Sequence, residues 1–108
     1  MALICDTGGV YALYDADDVH HANTKAALQI DTGPRLVPIV LMAEIDLLLT
    51  AHLGVDAALD FIRSVEAGAF SLAGMSAEDL TGCRELITQY RDLGIGLADA
   101  SVVATAER

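Results

Sequence analysis

The chain has 108 residues, 16 of them acidic and 6 basic, for a net charge of −10 at neutral pH, and 54% of its residues are hydrophobic. This length suits one domain spanning residues 1–108. The acidity argues against charge-driven binding of nucleic acid along a broad face, which needs a basic surface. It leaves room for a nuclease in which a divalent ion, held by carboxylates, meets the phosphate.

No run reaches the roughly 18 uncharged apolar residues of a membrane helix. The most apolar stretch, residues 36–53, is broken by Glu44, Asp46 and His52. No basic segment precedes an apolar one at the N-terminus, so a secretory signal is not expected. Cys5 and Cys83 have no informative spacing and read as free, buried thiols of a cytoplasmic protein. The apolar excess predicts a surface that faces a second copy or another protein.

Ala2-Leu3-Ile4-Cys5-Asp6-Thr7 predicts a strand buried on both faces, delivering Asp6 to its C-terminal end before Gly8-Gly9. Open α/β sheets place ligand groups at such strand ends. Asp6 is therefore either a ligand of a divalent ion, shared with Glu44 and Asp99, or the cap of the next helix. Val10 to Tyr14 is a short helical segment. Asp15-Ala16-Asp17-Asp18 begins like a calcium loop, but Val19 and His20 stand where a ligand and a glycine are needed. Asp17 or Asp18 is the expected N-cap of a helix over residues 19–29 that turns Val19, Ala22, Ala26 and Ile30 inward. His20 and His21 point about 100° apart and read as surface residues.

Asp31-Thr32-Gly33-Pro34 is a turn, and Leu36-Val37 a strand ended by Pro38. A helix over residues 39–53 follows, stopped by Gly54. Val40, Glu44, Leu47, Leu48 and Ala51 share one of its faces, which puts a carboxylate inside an apolar stripe. An isolated buried carboxylate is costly. A metal, a raised pKa, or a position at the stripe's margin would each resolve the conflict.

The next helix, residues 55–65, is expected to bury Ala58, Leu59, Ile62 and Val65. Ala69 to Leu72 is a third strand. Ser76 with Asp79 is a capping signature for a helix reaching residue 93. Leu80, Cys83, Ile87 and Tyr90 line one of its faces. Arg84 and Arg91 lie on its surface, either as RNA-phosphate contacts or as a solvated face. Gly94-Ile95-Gly96 is a loop, and the last helix carries Asp99 in its first turn, where the helix dipole favours a carboxylate. The alternation of strands and helices predicts an α/β fold, a parallel sheet flanked by helices. Asp6, Glu44 and Asp99 meet only if one strand end and two helix starts converge at a sheet edge.

Three motifs together resemble the PIN-domain family, in its bacterial VapC-type toxin branch. They are Leu3-Ile4-Cys5-Asp6-Thr7, the helix with Ala43-Glu44-Ile45 followed by leucines, and Gly96-Leu97-Ala98-Asp99-Ala100. The resemblance covers the whole chain. It implies a Mg²⁺- or Mn²⁺-dependent endoribonuclease, usually a homodimer, held inactive by a small antitoxin. Asp6, Glu44 and Asp99 match the family's metal-site acids, and Thr7 matches a supporting hydroxyl. The family normally continues into a fourth strand, often ending in Thr-x-Asp, beside the first. This sequence stops at Arg108. The last strands and the fourth acid are therefore expected to be missing, with an open edge on the first strand. A catalytically inactive PIN-like module that only engages an antitoxin or subunit is the alternative expectation. A receiver-like phospho-acceptor fits poorly, because Asp6 stands alone at its strand end and Lys25 is the single lysine.

Overall fold

The computed structural model describes residues 3–107. Three short strands, β1 (Leu3–Ile4), β2 (Arg35–Pro38) and β3 (Ser71–Ala73), form one parallel sheet in the order β1-β2-β3. Leu3 pairs with Arg35, Leu36 with Ser71 and Pro38 with Ala73. Parallel neighbours need long crossovers, and helices supply them. Helices α1 (Thr7–Tyr14) and α2 (His21–Ile30) join β1 to β2, while α3 (Met42–Leu53) and α4 (Val55–Glu66) join β2 to β3. Helices α5 (Ala77–Gln89) and α6 (Leu97–Glu107) complete the α/β arrangement expected above.

The core gathers around Phe61, which is 0% exposed and meets Tyr14 and Phe70 edge to face, at ring-centroid distances of 6.3 and 5.5 Å. Val10, Val37, Leu41, Ile45 and Leu49 surround it.

Several elements differ from the expectations in phase rather than in kind. Strand β1 is half-buried, not buried on both faces, and among the described residues it lies at the edge of the sheet beside β2. Ala2, also expected in this strand, lies outside the described residues. Helix α1 starts at Thr7, and both glycines sit in its first turn because Asp6 caps it. Helix α2 starts at His21, with no side-chain cap from Asp17 or Asp18. Asp15 and Asp18 instead accept hydrogen bonds from the backbone N–H of Asp17 and His20, at 3.0 and 2.8 Å. Such local bonds hold the chain in turns and delay the helix. Leu28 is the buried residue of α2. The face expected inside is turned outward, with Val19 85% and Ile30 82% exposed.

The third helical segment opens with a 3-10 turn (Ile39–Leu41) and ends where Gly54, at φ 97°, donates to Leu49 and Thr50. Its inward face is Leu41, Ile45 and Leu49, one residue on from the expected stripe; Glu44 is exposed and Leu47 is 70% exposed. A one-residue shift rotates the face by about 100°. With Leu47, Leu48 and Leu49 in succession, periodicity cannot choose between the two phases. Helix α4 buries Ala58 as expected, but Phe61 takes the central place and Leu59 faces outward.

At α5 the capping box forms as read from the sequence: Asp79 N–H donates to Ser76 Oγ at 3.1 Å, and Ser76 N–H to Asp79 Oδ2 at 2.9 Å. The helix ends at Gln89, and Arg91 opens a separate 3-10 turn (Arg91–Leu93), so Arg84 and Arg91 do not share a helix.

Candidate active site

Asp6 leaves the end of β1 and caps α1: the backbone N–H of Gly9 donates to its Oδ1 at 2.7 Å. A Cβ on Gly9 would stand 3.1 Å from the same oxygen, so a glycine here lets the carboxylate lie against the helix start. One carboxylate oxygen is thus held, and the other is left for a ligand. Thr7 is the first residue of α1, and its Oγ1 is buried with no hydrogen-bond partner. A buried hydroxyl without a partner is costly, and it marks a place where a further polar group belongs.

Glu44 lies in the first turn of α3 and Asp99 in the first turn of α6. Helix α6 packs on β1, on β2 and on the 3-10 turn ahead of α3, which carries Asp99 to the sheet edge where Asp6 emerges. Asp6, Thr7, Glu44 and Asp99 line one open cavity of about 320 Å³, floored by Leu41, Ala98 and Val102. All three expected acids therefore line one cavity, and Asp6 does so while it caps α1. The burial argument for Glu44 does not survive, because its carboxylate faces the cavity mouth and is exposed.

Among the described residues no Lys, Arg or His lines this cavity. Three helix starts border it, and their partial positive charge suits carboxylates and an incoming phosphate alike. Hard carboxylate oxygens together with an orphan hydroxyl are the donor set of Mg²⁺ or Mn²⁺. The set is open rather than caged: among the described residues, no three His, Cys, Asp or Glu side chains stand close enough to hold an ion between them. An ion held by one or two carboxylates that keeps several waters, as Mg²⁺ does, suits such a set.

The remaining candidates lie elsewhere. Arg84 and Arg91 are exposed and do not line the cavity. His21 is tied to the carbonyl of Ala12 through Nδ1, at 2.7 Å. Burial pushes the thiols of Cys5 and Cys83 up, which keeps them protonated and inert.

Two features escaped the sequence reading. Ser101 and Thr105, both buried in α6, donate back to the carbonyls of Ala98 and Ser101 at 2.6 and 2.8 Å. They satisfy themselves within the helix that carries Asp99. The second feature is a bond from the Tyr11 hydroxyl to Asp15 Oδ2 at 2.5 Å, whose signal was the four-residue spacing on α1. That bond raises the Tyr11 hydroxyl from 10.0 to about 12 and lowers the Asp15 carboxyl.

The bond has a measurable consequence. A tyrosine whose folded value is raised contributes stability that is fully present below its unfolded value and is lost as pH rises through the folded one. The stability difference between wild type and Tyr11→Phe, followed by urea midpoints, should be constant from neutral pH to about 10, shrink as pH approaches about 12, and shrink again in acid as the lowered Asp15 carboxyl takes up its proton. A pH-independent difference would show that Tyr11 does not hold its proton through Asp15.

Comparison with known proteins places these observations. The profile of the PIN domain family matches residues 3–108. Ribonuclease VapC26 of Mycobacterium tuberculosis is 33% identical over 106 residues, which cover 98% of this chain and 78% of that protein. The crystal structure of VapC20 of Mycobacterium tuberculosis, a sarcin-ricin loop cleaving toxin, superposes with a TM-score of 0.87 at 17% identity. That match covers 99% of this chain and 82% of VapC20. The VapBC2 complex of Rickettsia felis, solved with a promoter DNA fragment, matches at a TM-score of 0.68 and 15% identity, over 98% of this chain and 80% of that one. At such identities the two structures speak for the fold alone.

Proposed function

This chain belongs to the PIN-domain family, and from that premise we propose that it is a divalent-metal-dependent endoribonuclease toxin of the VapC type, restrained by a small antitoxin. One observation carries the reading: three carboxylates from positions 6, 44 and 99 line the same cavity beside the unpartnered Thr7 hydroxyl. The activity of the 33%-identical relative, named a ribonuclease, points the same way.

One or two of Asp6, Glu44 and Asp99 would hold Mg²⁺ or Mn²⁺ directly, and the remaining acid would act on it through bound water. Such an ion, when bound, lowers the pKa of a water and stabilises negative charge on phosphoryl oxygens. The chain's own residues do the rest. Gly9 N–H fixes one oxygen of Asp6, so its other oxygen keeps a set direction. The Thr7 hydroxyl, which has no partner of its own, would supply a hydrogen bond to a polar group beside Asp6. The starts of α1, α3 and α6 lay partial positive charge along its wall, which favours a phosphodiester there. Hydrolysis by water requires no nucleophilic side chain, and among the described residues no Ser, Cys, Lys or His lines the cavity.

The partners follow the same logic. RNA is the substrate, with exposed Arg84 and Arg91 offered as phosphate contacts outside the cavity. A strongly acidic surface with an unpaired carboxylate cavity suits an antitoxin that presents basic residues. The exposed apolar residues Val19, Ile30 and Leu47 suit a homodimer contact or the antitoxin. No helix among the described residues is long and apolar enough to cross a membrane. A cytoplasmic location accords with the two free thiols.

The absence of a tight three-ligand cluster among the described residues favours a second reading, an inactive module that binds a partner and cuts nothing. Incubation of RNA with the protein in Mg²⁺ or Mn²⁺ separates the two. Cleavage that EDTA abolishes is the expected result. No cleavage with either ion, together with retained binding of a small basic partner, would establish the inactive module instead.

A further inference from the structure

A second groove of about 540 Å³ opens beside the acid cavity and shares Asp6 and Gly8 with it. Its far wall comes from α2 and the turn before it: Asp18, His20 and Asn23, with Tyr11 from α1. A group seated there sits next to whatever the three acids act on. The volume falls within the roughly 300–1,000 Å³ of small-ligand pockets.

The chemistry of the groove disfavours a phosphate. It carries Asp6 and Asp18 and, among the described residues, no Lys or Arg. It suits a neutral planar group with hydrogen-bonding edges. Asn23 is exposed and offers an amide with both a donor and an acceptor. Asp18 uses Oδ1 to accept from His20 N–H at 2.8 Å, which leaves its second oxygen as an acceptor. The Tyr11 hydroxyl is already spent on Asp15, so this residue offers its ring.

Single-stranded RNA is read by hydrogen bonds to base edges and by stacking on aromatic rings. We propose that this groove is a base-binding subsite, which seats the base of a nucleotide adjoining the scissile phosphodiester. Asn23 and Asp18 select there for a base bearing an exocyclic amino group over uracil. An amino group gives the two acceptors a donor to meet, and an Asn amide pairs bidentately with adenine in this way. Uracil would turn a carbonyl oxygen toward a carboxylate. The inference rests on the nuclease reading above for its placement beside the cut, but not for base binding itself.

The test compares wild type with Asn23→Ala on oligoribonucleotides that differ only in the bases flanking the cleaved bond. Asn23 lies on an exposed helical face, and Ala preserves the helix. Wild type should cut the adenine or cytosine substrate about tenfold faster than the uracil one, the lower end of what one bidentate amide contact discriminates. Asn23→Ala should lose that preference, its rates on the adenine and cytosine substrates falling to its rate on the uracil one. A preference unchanged in the variant, or no preference in wild type, overturns the subsite and leaves the nuclease reading standing.

In parallel, free adenosine, cytidine and uridine are titrated into the full chain while the Asn23 side-chain amide is followed by NMR. Shifts with adenosine or cytidine and not with uridine uphold the subsite even if wild type cuts no RNA, in which case the nuclease reading alone falls. No shift with any nucleoside overturns the subsite.

Discussion

Replacing Asp99 by Asn should lower metal-dependent RNA cleavage by at least about 10²-fold, since even partners one shell away from a metal cost roughly 10–100-fold. The substitution keeps size and shape and removes the charge. Asp99 is exposed in the first turn of α6, so stability should fall by no more than the roughly 0.3–1 kcal/mol of its attraction to the helix start.

Asp6 extends the test, because it both caps α1 and lines the cavity. Asn caps a helix about as well as Asp. Asp6→Asn should therefore lose cleavage and keep its unfolding midpoint, whereas Asp6→Ala should lose cleavage and also about 1 kcal/mol of stability. Cleavage assays run beside urea titrations read both quantities. Full activity in either Asn variant would sink the assignment of these carboxylates to the site.

Phe61→Ala should destabilise the fold by about 3–5 kcal/mol, the usual cost of a vacated aromatic site. Phe61 has no exposure and contacts the rings of both Tyr14 and Phe70, so it holds α1, α4 and the approach to β3 together. For a domain whose total stability is roughly 5–15 kcal/mol this is a large share. Leu47→Ala is the matched control. Leu47 is 70% exposed, and its loss should stay within about 0.5 kcal/mol. The size of the Leu47→Ala effect tests the phase of α3, whose buried face carries Ile45 and Leu49. If Leu47→Ala cost about 2 kcal/mol or more, as a buried leucine does, the inward face would be the stripe of Val40, Glu44 and Leu47, and Glu44 would be buried after all.

The motifs carried the site further than the periodicities carried the packing. Asp6, Glu44 and Asp99 each sit at a strand end or helix start, where chain chemistry points a carboxylate in a known direction. Asp6 follows an apolar run and precedes two glycines, and Asp99 follows Gly94-Ile95-Gly96. Such local signals survive without any knowledge of neighbours. The same holds for Ser76 and Asp79, whose reciprocal bonds lie within four residues.

The inward faces of α2, α3 and α4 did not follow from local signals. In α2, small residues on several sides make the apolar contrast weak, and Leu28 wins the buried place because α1 lies against that side. In α3, consecutive leucines offer apolar groups at adjacent angles. In α4, Phe61 outweighs Leu59 because an aromatic ring fills the space between Tyr14 and Phe70. The groove with Asp18, His20 and Asn23 was equally invisible, since α2 begins later than its acids suggested.

The sequence by itself determined the order of strands and α-helices, the caps at Asp6 and Ser76 and the parallel α/β class, because each depends on backbone preference or on chemistry within a few residues. Only the tertiary structure decided which face of each helix turns inward and that the acids share an open cavity rather than a tight cage. It also decided that Glu44 is exposed. Those outcomes depend on which partner occupies each side of an element, and hydrophobic packing, being non-directional, leaves no mark of that choice in the spacing of residues along the chain.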